Sequence, residues 1–111
     1  MKKALAVSAP EGLSQREACY RSFEEIYSLG IAPGYVITES ELAQVPVGST
    51  LVIIDNDAEK RAEAKILEYR KAELAGNNQQ RYDIHFDKPR MVKYAKVKFR
   101  WPGPGVAVID V

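Results

Sequence analysis

The chain reads as an α/β fold: a three-layer β-α-β core with a mixed sheet, two long helices and a β-rich C-terminal tail. Three observations predict it. Leu51-Val52-Ile53-Ile54 is a continuous apolar run, as in a strand buried on both faces of a parallel sheet. Two segments with helical character flank it, each opening on a capping signal. From Arg81 onward the apolar period drops to two, which is strand-like.

Taken in order, Lys3 to Ser8 is the first strand, carried by Ala4, Leu5, Ala6 and Val7. Ala9 to Leu13 is a loop. Ser14 with Glu17 forms a capping box, which predicts a helix from near Gln15, with Cys19, Phe23, Ile26 and Tyr27 on its inner stripe and Gly30 as its C-cap. Ile31 to Gly34 reads as a turn and Tyr35 to Thr38 as a short strand. Thr38 and Glu41 form a second box for a brief helical turn. Thr50 to Asp55 is the buried strand. Asn56 as N-cap with Glu59 at N3 then predicts a long helix to Ala75, facing inward through Ala62, Ile66, Tyr69 and Leu74 and stopped by Gly76-Asn77. Arg81 to Asp87 is a half-buried strand and Lys88 to Arg90 a turn. Met91 to Trp101 is a strand with Ala95, Val97, Phe99 and Trp101 on one face and Tyr94, Lys96, Lys98 and Arg100 on the other. Val106 to Ile109 is the last strand.

The 111 residues suit a single α/β domain spanning 1–111. The lone Cys19 excludes an intramolecular disulfide and suits a reducing, cytoplasmic setting. No apolar stretch approaches the ~20 residues that span a bilayer, so no membrane partner is expected. The net charge of +1 is unevenly placed. Residues 1–76 hold nine Lys/Arg and twelve Asp/Glu, and residues 77–111 hold seven and three, so a basic segment follows an acidic one.

Two constellations stand out. If the first and third strands are parallel neighbours, Glu11, Asp55 and Asp57 come together at their carboxyl ends, where open α/β sheets bind ligands. Converging carboxylates suit a hard divalent cation such as Mg²⁺. Helix capping accounts for Asn56 and nearly for Asp57, which leaves Asp55 with the least structural use. The second constellation is the basic strand, where Tyr94, Lys96, Lys98 and Arg100 would track a nucleic-acid backbone or, alternatively, protect a sheet edge. Trp101, on the opposite parity, is a candidate for core or interface.

Val52-Ile53-Ile54-Asp55-Asn56-Asp57-Ala58, followed by Arg61 and Ala62, resembles the acidic segment of topoisomerase–primase (TOPRIM) domains, most of all the bacterial primase type. Glu11-Gly12 stands where that family carries a Glu-Gly pair after its first strand. The resemblance covers roughly residues 3–75. It implies Glu11, Asp55 and Asp57 as catalytic Mg²⁺ ligands for nucleotidyl transfer or strand cleavage. Two function classes therefore stand. One is a small cytoplasmic binding or self-associating module, using Trp101 and an exposed strand edge as a homo-oligomer contact, or contacting nucleic acid through the basic C-terminal strand. The other is a Mg²⁺-dependent TOPRIM-like nucleotidyl-transfer or nuclease domain.

Overall fold

The structure, a computed structural model, describes residues 2–9, 21–74, 79–99 and 105–110. The expected helix start near Gln15, Cys19, the Gly76-Asn77 stop, Arg100 and Trp101 lie outside the described residues. Element order is β1 (Lys3–Ser8), α1 (Phe23–Leu29), β2 (Ile31–Val36), α2 (Glu39–Gln44), β3 (Thr50–Asp55), β4 (Lys60–Leu74), β5 (Gln80–Val92) and β6 (Val106–Asp110). The six strands form one mixed sheet in the order β2-β5-β4-β3-β1-β6. β1 and β3 run parallel, and every other pairing is antiparallel.

The three-layer β-α-β expectation is overturned: the molecule is mostly β, a curled sheet with two short helices among the described residues. The largest difference is residues 60–74. They are rich in helix formers but build a strand that pairs with β3 on one side and β5 on the other. Ala62, Ala64 and Ile66 alternate with Arg61, Glu63 and Lys65, and the first three are buried. That period-two pattern satisfies two waiting strand edges, and tertiary pairing outweighs a local preference worth a few tenths of a kcal/mol per residue. α1 is also shorter than expected. Ser22, with extended backbone, forms a capping box with Glu25 and starts the helix at Phe23. Gly30 closes it in the left-handed region at φ 76°.

Three turns or strands expected in the sequence are also corrected. Ile31 to Gly34 is not a turn but the start of edge strand β2, bulged between Ala32 and Tyr35. Side chains from β5 satisfy that bulge. Gly34 N donates to Asp83 Oδ1 at 3.0 Å, and Arg81 Nη1 donates to Gly34 O at 2.7 Å. Lys88 to Arg90 is not a turn either. Glu63 faces Arg90 and Lys65 faces Asp87, so Lys88 and Pro89 oppose the single residue Ala64. This is a β-bulge inside β5, with Lys88 at φ 53°. Pro89 is tolerated because β2 pairs with β5 only at residues 81–85. Finally, the strand expected to reach Trp101 ends at Val92, and residues 93–99 cross the sheet as an irregular strap.

The core lies on both faces of β1 and β3. One face carries Leu5, Val7, Leu51 and Ile53 and is covered by Phe23 and Ile26 of α1, Tyr35 and Val45. The other carries Ala4, Ala6, Val52 and Ile54, and the strap covers it with Val97, Tyr94 and Phe99. The alanines keep this second face shallow enough for the strap to lie close. At its far end a Cβ on Gly105 would sit 2.7 Å from Phe99 Cβ, so only glycine fits there. No helix among the described residues is long and apolar enough to cross a membrane.

Candidate functional site

Asp55 ends β3, but no helix follows it. Residues 56–59 are a four-residue turn that returns the chain into β4, with Asp55 and Lys60 as the last register pair. Asp55 is 2% exposed, and its Oδ1 accepts from Asp57 N at 3.0 Å and Ala58 N at 3.1 Å. This is an Asx-turn: the carboxylate replaces backbone acceptors that the tight loop cannot supply. Glu59 completes the reversal in the left-handed region at φ 54°. The residue with the least apparent structural use thus holds the hairpin closed.

Asn56 is not a helix cap. Its Nδ2 donates to Val97 O at 2.7 Å, while its Oδ1 accepts from Tyr94 OH at 3.0 Å and from Val97 N at 3.4 Å. One amide therefore pins the strap from both sides of Val97. Arg61 Nη1 adds a bond to Ala95 O at 3.1 Å. Asp57 is exposed in the turn. Glu11 lies outside the described residues, and among those described no three acidic, His or Cys side chains gather around a common point.

The cations of the C-terminal segment are rearranged by the strap. Lys93, Lys96 and Lys98 are exposed on its outer side. Tyr94 is half-buried and its hydroxyl is engaged by Asn56, so its ring seats the strap. Lys98 sits at the edge of the sheet, in a groove of about 470 Å³ between β6 and α2 that Glu41 also lines. The outer edge of β6 has no strand neighbour among the described residues.

The sequence reading missed a second group of cations because it placed 60–74 in a helix. As strand residues, Arg61, Glu63 and Lys65 share the face that the strap lies on, opposite Ile54, Val52 and Thr50. β5 brings Arg90 opposite Glu63, and the bulge adds Lys88. Lys65, Lys88 and Arg90 line a cleft of about 360 Å³ together with Gly48, Ser49, Thr50 and Glu63. Glu63 is bonded to Arg90 at 3.4 Å and lies 3.8 Å from the mostly buried Arg61 guanidinium. Lys65 and Lys88 make no ion pair or side-chain hydrogen bond with the described residues. The exposed cations Lys65, Lys88 and Arg90 thus share one cleft with the half-buried Glu63, while Lys93 and Lys96 are exposed on the strap that crosses the same sheet face. Asp57 and Glu59 in the turn bound this region at one end.

Comparison with protein families, with curated proteins and with solved structures finds no match for this chain.

Proposed function

We propose that this chain is a binding module for a nucleic-acid backbone, using the sheet face that carries Lys65, Lys88 and Arg90 and the adjoining strap lysines Lys93 and Lys96. The observation that supports this most is the cleft itself, where three cations and two hydroxyl side chains gather around a single carboxylate. Exposed cations this close repel one another weakly in water, and an anion seated among them turns that repulsion into attraction. A phosphodiester chain offers closely spaced anions and releases counterions when lysines replace them. The bulge at Lys88 fits the same reading. A non-glycine residue in the left-handed region carries strain, and bulges re-aim side chains beside binding sites. Phosphate contacts of this kind position a strand without reading its sequence.

Binding of a labelled single-stranded oligonucleotide, followed by fluorescence anisotropy, tests the proposal. Engagement of about four phosphates gives a log–log salt slope near −3. The double variant Lys65→Glu, Arg90→Glu is expected to lose binding, and unlabelled oligonucleotide to displace the probe better than polyglutamate does. No binding at low salt, or equal displacement by polyglutamate, overturns the proposal.

A further inference from the structure

We infer that the cleft beside the β5 bulge is a phosphomonoester subsite, which on a nucleic acid would hold a terminal phosphate rather than an internal one. This deepens the nucleic-acid reading and rests on it for the identity of the larger ligand. The argument is one of charge and shape. Lys65, Lys88 and Arg90 against Glu63 leave a local charge of +2 among the lining groups. An internal phosphodiester carries a single negative charge, whereas a phosphomonoester approaches −2 above its second pKa of about 6 and presents three acceptor oxygens. Arg90 offers a planar fork and the two lysines offer point charges, a donor set suited to several oxygens at once. Asp87 is the register partner of Lys65, but it does not line the cleft.

The volume fits the same ligand. About 360 Å³ is ample for one phosphate with its ester oxygen and attached sugar. The exposed Gly48 borders the cleft at φ 95°, and a Cβ built there would meet nothing within 4 Å, so this side of the cleft is open. Ser49 and Thr50, half-buried in the lining with Thr50 beside Lys65 in the register, bring hydroxyls that can donate to phosphate oxygens. Lys88 is the residue that the bulge turns toward this space, so the irregularity in β5 and the cation cluster have one explanation.

The test uses the whole chain and two probes. Inorganic phosphate is titrated while the backbone amide shifts of Ser49, Thr50 and Lys88 are followed, at a pH above and a pH below the second phosphate ionisation. Separately, 5′-phosphorylated and 5′-hydroxyl oligonucleotides of one sequence are compared. The expected result is shifts centred on those three residues that weaken at the lower pH, with about tenfold tighter binding of the phosphorylated strand, the size of one good charge-assisted contact. Lys88→Gly suits the left-handed backbone and removes the exposed side chain with its cation, so it should fold normally and lose the preference. Phosphate shifts elsewhere, or none, overturn the inference. So does equal binding of the two strands with Lys88→Gly indistinguishable from the parent, an outcome that would leave the broader nucleic-acid reading standing. Phosphate binding at the cleft without oligonucleotide binding would uphold the subsite and overturn the broader reading.

Discussion

Asp55 shows how a single side chain can carry a fold decision. Its buried carboxylate accepts two turn amides at the end of the central strand. Asp55→Ala would strand two amide donors and should cost about 2–4 kcal/mol of stability, while Asp55→Asn, which keeps one acceptor oxygen, should cost less than half of that. Urea unfolding of the two variants measures both. Tyr69 is a second such residue. Its hydroxyl donates to Val45 O at 2.6 Å, tying the middle of β4 to the loop after α2. Burial pushes its phenol up to about 12. The folded state therefore holds the proton more tightly than the unfolded chain, and this contribution is complete below pH 10 and lost as pH rises toward 12. Tyr69→Phe should lower stability by about 1 kcal/mol at neutral pH. It should also flatten the fall in unfolding free energy between pH 10 and 12.

At the scale of elements, the legible parts of the sequence were those whose signals are local. The Thr38–Glu41 box, the Gly30 cap and the apolar runs of β1 and β3 each depend on neighbours in sequence, and each lies where its residues indicate. The segment 60–74 was not legible, because its Ala, Glu, Lys and Arg content fits a helix while Ala62, Ala64 and Ile66 also fit a strand. Which wins depends on β3 and β5, residues distant in sequence. The same error hid the candidate site. Glu11, Asp55 and Asp57 drew attention as a motif, whereas Lys65, Lys88 and Arg90 come from two strands and a bulge and have no motif. The basic tail was legible as composition but not as shape. Its lysines ride on a strap that Asn56 fastens, not on a strand. Asn56→Ala should free that strap at about 1–3 kcal/mol in local stability, since Val97 and Tyr94 lose their shared partner. Limited trypsin digestion should then cut faster after Lys93 and Lys96, with cleavage elsewhere unchanged. Equal rates in the two proteins would show that the apolar contacts of Val97 and Phe99 hold the strap alone.

For the whole molecule, fold and function depend on the same fact. The sheet passes from β3 into β4 through the Asp55 turn, so residues 61–66 alternate between a buried face and the cationic one. Were the segment helical, Arg61, Glu63 and Lys65 would fan around an axis at about 100° per residue, and neither the cleft nor its charge would exist. The measurement that decides this most directly is the set of backbone carbon secondary shifts for residues 60–74 in solution. Strand-like shifts, interrupted near Ile66 to Glu68 and again between Lys71 and Leu74 where the register slips, are the expected result. Helical shifts across Arg61 to Lys71 would contradict the fold, the cleft and the function proposed from it together.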